Sequence, residues 1–535
     1  MMFHSSEDYA ETMWAGHSFQ LFAHHPFSAR LILAILSVAL IIWCLNKTLL
    51  QPYLIYLNLK RQGVKGAPFR PFIGQLPEIR EHMRRKESDP QYAAVLFVQS
   101  REQIKQYGDI HISQMGPNID LVLTSPDAIK EVLVTKAGCF EKPAYVKNLL
   151  SLMGNGLVFA EGPLWERQRR MINPAFNHKE IKAMSEIMIK CTNEAADRWC
   201  QTIQGGTQEL EMLLEFSKLT LDVIGRAAFG SEDVASGKAA DELYGGLSKL
   251  IEDKVAGIME GWSLIPGYEL LPTSENRKAK RREKELRALG MRLIKSRRET
   301  RGRAAEKPRD LLGMMLVGQD EQGESVMSDE QLLDECMTFL LAGHETTAVL
   351  LTWTVYLLTS HPEYVEKARA EINDVLGGRA DISFEDLPRL KLLQGILYES
   401  LRLYPPVPMM GRTVVRDTEI AGIRLQKGTE VTIVSYPMHV REALWGNDVM
   451  EFRPERFANG ISGAVKQPGA FLPFSAGPRT CIGQNFAMTE AKIVLVKLLR
   501  TFSLKLAPGY RHFPVMYITM KPKHGLPVVL ESLFK

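Results

Sequence analysis

The chain has 535 residues, 45% of them apolar and 24% charged. That composition excludes a disordered, collagenous or polytopic membrane protein, and the length exceeds the ~250–300 residues at which one ordinary core stops growing. Its 66 Lys and Arg against 62 Asp and Glu leave a formal net charge of +4, too balanced to point to a nucleic acid partner.

In chain order, the first feature is the apolar run 31–45, broken only by Ser37 and bounded by Arg30 and Lys47. A helix of that length covers ~22 Å, short of a ~30 Å hydrocarbon core. Extension to Leu50 supplies the missing length, with Lys47 able to snorkel to the interface. Residues 31–50 are therefore predicted to be a transmembrane anchor. Residues 1–30 form a polar leader unlike a cleaved signal sequence. Glu7, Asp8 and Glu11 precede the anchor, and Lys47, Lys60, Arg61, Lys65 and Arg70 follow it. The leader is thereby placed on the lumenal side and the bulk of the chain in the cytosol. Residues 51–77 read as a basic, proline-containing linker around the stretch GAPFRPFIG at 66–74. Residues 78–535 read as one body, because no repeat, low-complexity stretch or long linker divides them.

Short strand patterns at Ile110–Met115 and 120–123 flank a Gly-Pro-Asn turn, and two more at 413–416 and Glu430–Val434 lie around Gly422 and Gly428. Helical periodicity fills most of the remainder. The basic run RKAKRREK at 277–284 is interleaved with Glu283 and Glu285 and followed by Leu286 and Leu289, which reads as a solvated helix face. Ser328 with Gln331 forms a capping-box pattern opening a long apolar helix to about Thr359, where Ser360-His361-Pro362 stops it. At ~45 Å it would cross a whole domain. Six cysteines, at 44, 139, 191, 200, 336 and 481, show neither paired zinc spacing nor disulfide density, which favours a reducing compartment.

The last cysteine stands in Phe474-Ser475-Ala476-Gly477-Pro478-Arg479-Thr480-Cys481-Ile482-Gly483, ahead of the helical Gln484-Asn485-Phe486-Ala487-Met488. A cysteine in a glycine-rich loop that feeds a helix meets the turn's N–H groups and the positive end of the helix dipole, both of which stabilise a thiolate. Such a sulfur can be a nucleophile, a metal ligand or a buried structural cysteine. The flanking glycines would let something flat and large approach the backbone.

The run F-x-x-G-x-R-x-C-x-G resembles the haem-ligand loop of the cytochrome P450 superfamily of haem-thiolate monooxygenases, with every fixed position filled. The resemblance reaches from about residue 60 to the end. It implies a mainly α fold with small β-sheets, a single large helical domain with a long central helix, and one N-terminal transmembrane helix ahead of it. The implied cofactor is heme b, iron protoporphyrin IX, with Cys481 as the axial thiolate that pushes electron density toward bound oxygen. Arg479 would meet a haem propionate. Trp165 and Arg169, a W-x-x-x-R pair sharing one helix face, would clamp it, and Arg412 would add a further contact. Glu399 and Arg402, an E-x-x-R pair, would be joined by Arg456 to support the haem pocket.

Within the long helix, Ala342-Gly343-His344-Glu345-Thr346-Thr347 matches the family's small-Gly-x-acid-Thr-Thr pattern. By resemblance, Ala342 and Gly343 would leave a groove for dioxygen, Thr346 would hydrogen-bond oxygen or its water, and Glu345 would sit in the proton-delivery route. The blander alternative makes Gly343 a kink and Thr346 a helix-bonded hydroxyl. The acid–alcohol pair favours oxygen activation with electrons from NADPH-cytochrome reductase over reductase-independent rearrangement or a haem-based sensor or carrier. Arg167, Arg170 and Lys492 are candidates for the reductase's docking surface.

Specificity is expected in 142–158, 235–269, the start of the long helix, 407–410 and 515–519. These are rich in leucine, methionine and aromatics, implying an apolar small-molecule substrate of lipid or terpenoid type. Segments 454–462 and 481–487 look like the plant clan acting on isoprenoid hormones and triterpenoids, whereas Gly-His-Glu-Thr-Thr is shared with fatty-acid hydroxylases. The expectation is a monooxygenase anchored in endoplasmic reticulum lipid, acting on a terpenoid or steroid-like isoprenoid, with a fatty-acid hydroxylase as the rival.

Overall fold

A computed structural model describes residues 26–533 apart from 95, 150, 205–207, 230–244, 247–248, 251–252, 255–256, 258–266, 302–310 and 318–326. Most of the leader and most of the specificity segment 235–269 lie outside the described residues.

Helix α1, Pro26–Leu45, is twenty residues long, or ~30 Å, the thickness of a hydrocarbon core. Its apolar side chains project on all sides with no protein over them; Leu33 and Ile42 are 63% and 62% exposed. Ser37 Oγ donates to Leu33 O at 2.8 Å and Thr48 Oγ1 to Cys44 O at 2.7 Å, which satisfies the hydroxyls that would otherwise be costly in lipid. This apolar helix fits a single-pass membrane anchor. A π-helical segment, Asn46–Leu50, leads into α2, Gln51–Arg61, so the helix runs without a break from Arg30 to Arg61.

The linker expected at 51–77 thus begins as helix, and Leu59 and Val64 already lie in the main core. Its second half is pinned to a sheet. Gly66 and Gly74 bridge to Ile112 and Met115, and a side chain at Gly66 would meet Ile112 O at 2.4 Å. α3, Leu76–Ser88, follows.

The main sheet contains β1 (Ile110–Met115), β2 (Asn118–Leu123), β3 (Phe140–Glu141), β4 (Met409–Val414) and β5 (Glu430–Val434) in the order β1-β2-β5-β4-β3. Only β2 and β5 pair in parallel. β4 begins earlier than the 413–416 pattern suggests, because its register with β5 runs from Met409 opposite Val434 to Thr413 opposite Glu430. A two-stranded hairpin, β6 (Pro514–Met516) with β7 (Met520–Pro522), stands near the C-terminus.

The helical body is built from α4 (Gly162–Ile172), α5 (His178–Gln204), α6 (Met212–Phe229), α7 (Ser274–Arg301), α8 (Asp329–Ser360), α9 (Lys391–Leu403) and α10 (Gln484–Thr501). The basic run 277–284 lies along α7 with Leu286 turned inward, as its charge pattern suggests. α8 is the long central helix and starts where the capping box predicts. Ser328 Oγ accepts from Gln331 N at 3.3 Å, and Gln331 Oε1 accepts from Ser328 N at 3.0 Å. It crosses α6 at close range: a side chain at Gly343 would meet Ile224 at 2.9 Å, and Thr220 Oγ1 donates to His344 O at 3.1 Å. The missing side chain of Gly343 therefore lets α6 pack close to α8 at this point.

The sheet that carries Arg412 also holds two facing carboxyls. Asp120 lies opposite Glu430, and Thr432 and Thr413 hydroxyls donate to them at 3.1 and 2.8 Å. Burial pushes Asp120 up to about 6 and Glu430 up to about 7, the latter helped by the Asp120 charge. Both are raised above unfolded values near ~4, so their stabilisation is complete below that pH and is lost as pH rises through the folded values. Asp120→Asn should therefore narrow the gap in thermal stability between about pH 5 and about pH 8 and raise stability at the higher value. An unchanged gap in thermal unfolding would show that the pair does not couple to folding.

Candidate active site

The cysteine loop is closed by its own backbone. Cys481 N donates to Phe474 O at 3.0 Å, and Thr480 donates to Gly477 O through both N and Oγ1, at 3.1 and 2.8 Å. Gly477 has φ +71°, and a side chain there would fall 2.0 Å from Leu133 O. Its glycine lets the loop cross the backbone at Leu133; the expected role of admitting a ligand does not hold at this position. Gly483 is different, since the nearest atoms to a side chain there are Cys481 Sγ and the Phe176 ring, both at 4.0 Å.

The Cys481 side chain retains open surface while lying deep in the protein. Burial pushes its thiol up, while the Gly483 N–H and the Arg169 guanidinium pull it down. The favourable dipoles expected at this turn are present but do not outweigh burial. A metal cation at the sulfur would deprotonate it outright.

A buried ion pair supports this loop from below. Arg402 and Glu399 on α9 have no exposed surface and pair through two hydrogen bonds of 2.7 Å. The guanidinium also donates to the carbonyls of His439, Val449 and Glu451. Arg456 approaches Glu399 at 3.4 Å and bonds Asp448 Oδ1 and Trp445 O at 3.0 and 3.1 Å. From this centre a chain of bonds runs to the backbone of Cys481. Burial and neighbouring Arg402 push the His439 ring down to about 3, leaving it neutral, and its Nε2 accepts Leu472 N–H at 3.0 Å. Leu472 O accepts from Ser475 N, and Phe474 O from Cys481 N.

Four of the predicted residues gather beside the loop. Trp165 and Arg169 are on α4; Arg169 Nη1 donates to Thr480 O at 3.0 Å. Arg479 stacks over the Trp165 ring at 4.2 Å, donates to Ala160 O at 2.8 Å and pairs with Glu161. Arg412 on β4 is buried, its Nη1 donates to the carbonyl of its neighbour Gly411 at 2.7 Å, and burial lowers it to about 10. Sequence reasoning missed a fourth cation, Lys142. Its Nζ bonds Val158 O and its backbone N–H bonds Glu161 Oε1, while burial with the nearby Arg479 and Arg412 lowers the amine to about 7. No sequence spacing marks Lys142, because it arrives from the end of β3.

On α8 the residues from Leu332 to Leu341 and from Thr347 to Val355 are buried, as is His344, whereas Ala342, Gly343, Glu345 and Thr346 keep partial exposure. The helix thus opens on one side at the acid–alcohol motif. Thr346 Oγ1 donates to Ala342 O at 2.7 Å, the helix-bonded arrangement, which leaves its lone pairs as acceptors. Glu345 Oε1 accepts Thr519 Oγ1–H at 2.7 Å. Phe339, about two turns earlier, contacts Phe176 at 5.7 Å, and Phe176 contacts Phe486 of α10 at 6.5 Å, so aromatic rings join α8 to the helix that follows Cys481.

Arg167 and Arg170 are exposed on α4. Lys492 is not, contrary to expectation. It is buried and its Nζ donates to Leu387 O at 2.8 Å and Gln394 Oε1 at 3.2 Å, so it cannot form part of a docking surface.

The donor set fits a haem. Lys142, Arg412 and Arg479 all face Glu161, with Glu141 a second carboxylate near Arg479, yet burial weakens all three cations; two propionates would relieve that cost. A deprotonated Cys481 would meet the iron, and Gly483 leaves room beside the sulfur. Arg402→Lys should cost ~3–5 kcal/mol, because an ammonium cannot reproduce the forked pair and leaves Glu399 uncompensated. The variant should unfold at lower temperature and show a thiol-type rather than thiolate-type reduced carbonyl spectrum. Wild-type values in both would break the link between the pair and the loop.

The family model for cytochrome P450 matches residues 66–525. Cytochrome P450 709B3 of Arabidopsis thaliana is 34% identical over 515 residues, covering 93% of this chain and 98% of that protein. Cytochrome P450 734A1, also of Arabidopsis thaliana, is 33% identical, covering 94% and 96%. The 11-oxo-beta-amyrin 30-oxidase of Glycyrrhiza uralensis is 34% identical, covering 95% and 99%. The family implies haem held by a cysteine thiolate, and the relatives are plant enzymes. The chain belongs to the cytochrome P450 family, as a monooxygenase of plant type.

Proposed function

We propose that the protein inserts one atom of dioxygen into an apolar isoprenoid, with NADPH electrons supplied by NADPH-cytochrome reductase, from an anchor in the endoplasmic reticulum membrane with the body in the cytosol. The observation that carries this reading is the opening of α8 at Ala342, Gly343, Glu345 and Thr346 within an otherwise buried helix. Similarity to an enzyme named for the 30-oxidation of 11-oxo-beta-amyrin supports the terpenoid class.

Bound haem would supply the oxygen binding and electron acceptance that side chains lack. In this reading Cys481 ligates the iron, and Trp165, Arg169, Arg412 and Arg479, with Lys142, hold the propionates. Thr346, its O–H committed to Ala342 O, accepts a hydrogen bond from a protonated oxygen or a water at the open face. Glu345 stands on the route by which protons reach that face. The buried aliphatic and aromatic walls around α8 exclude bulk water, and exposed Arg167 and Arg170 offer the reductase positive charge. Apolar side chains on 407–410 and 515–519 would select the substrate.

Thr346→Ala should keep haem and substrate binding yet divert most NADPH electrons to hydrogen peroxide; product per NADPH equal to wild type would remove Thr346 from the proton route. For substrate class, terpenoids, steroids and long-chain fatty acids should be compared by the absorption shift that follows displacement of iron-bound water. Terpenoids should give the largest shift at the lowest concentration, and a response confined to fatty acids would replace this reading with the hydroxylase alternative.

A further inference from the structure

The hairpin β6–β7 touches the acid of the proposed proton route. Its register ends with Met516 opposite Met520, and Tyr517 N–H donates to Thr519 O at 3.2 Å across the tip. The side chain of Thr519 is turned inward, with 1% exposure, and its hydroxyl donates to Glu345 Oε1 at 2.7 Å.

The next residue fixes the hairpin in place. Met520 N–H donates to Pro406 O at 2.9 Å, and Met520 O accepts Trp353 Nε1–H at 2.6 Å. Trp353 is fully buried, stacked on Tyr404 at 4.4 Å, and lies about two turns beyond Glu345 on α8. The hairpin is therefore bonded to α8 at two points and to the segment leading into β4 at a third. On its other side the tip shows apolar surface, with Met516 36% and Tyr517 38% exposed.

We infer that Thr519 is a positioning residue for Glu345, coupling the placement of the hairpin tip to proton delivery. The inference rests on the proton role proposed for Glu345. A glutamate side chain on a partly open helix face has several rotamers, and one hydroxyl bond at 2.7 Å selects among them. The donor is not on the helix itself, so the selection depends on where the hairpin lies. An apolar ligand packed on Met516 and Tyr517 holds the hairpin against α8, and Glu345 stays aligned while oxygen is being reduced. When the alignment fails, the two electrons of NADPH and two protons leave with dioxygen as hydrogen peroxide.

The experiment uses the full chain, with haem, in lipid nanodiscs with the reductase, and a terpenoid giving the largest spectral shift. Thr519→Val keeps the shape and removes the donor, Thr519→Ser restores the donor, and Glu345→Gln removes the carboxylate. Thr519→Val should reduce product per NADPH at least threefold, with hydrogen peroxide making up the difference, while KM changes less than twofold and the thiolate-type carbonyl spectrum stays intact. Thr519→Ser should recover most of the coupling. A carboxylate infrared band of Glu345, identified by its loss in Glu345→Gln, should shift in Thr519→Val and return in Thr519→Ser, with or without turnover. If Glu345→Gln uncouples but Thr519→Val changes neither coupling nor the band, the role of Thr519 is overturned while that of Glu345 stands. If Glu345→Gln leaves coupling unchanged, the proton role of Glu345 falls and this inference falls with it.

Discussion

Two opposite charges with no access to water, Glu399 and Arg402, hold the part of the chain that presents Cys481. Removing ions from water is expensive, and the cost is recovered only when every donor and acceptor is used. Here the guanidinium spends itself on one carboxylate and three backbone carbonyls, and Arg456 and Asp448 extend the cluster without adding net charge. The carbonyls belong to the long irregular segment between β5 and the cysteine loop, which has few ladder bonds of its own. A neutral His439 passes the constraint to Leu472, and thence the loop's own turn reaches the backbone of Cys481.

On the far side of that support the electrostatics change sign. Lys142, Arg412 and Arg479 press together around Glu161, each weakened by burial and the two arginines felt by the lysine as like charges. Such a cluster carries a standing demand for anions. The sulfur carries the complementary demand, since burial holds its proton in place against the Gly483 N–H and Arg169. A ligand with an iron at its centre and carboxylates at its edge answers both, which is the electrostatic case for the haem that the family implies.

Much of this was legible along the chain because it depends on local chemistry. The capping box at Ser328 and Gln331, the four-residue spacing of Trp165 and Arg169, the three-residue spacing of Glu399 and Arg402, and the loop around Cys481 are all short-range patterns, and each forms the element its spacing implies. What was misread depends on neighbours distant in sequence. Gly477 looks like an opening for a ligand, yet it admits the backbone at Leu133. Lys492 reads as a candidate for the docking surface, yet α10 buries it against a carbonyl. The stretch 66–74 reads as part of a linker, yet its glycines bridge to β1.

The sequence by itself determined the class of chemistry, the axial ligand expected for it, the membrane-length apolar helix and the existence of one long buried helix, because residue identity and periodicity act over a few turns of chain. Tertiary structure alone decided that Lys142 joins the basic cluster, that four residues of α8 stay open in the middle of the core, and that Thr519 reaches Glu345. Those pairings are set by how α6, α8 and the sheets pack, and a side chain separated from its partner by well over a hundred positions leaves no local signature of the contact.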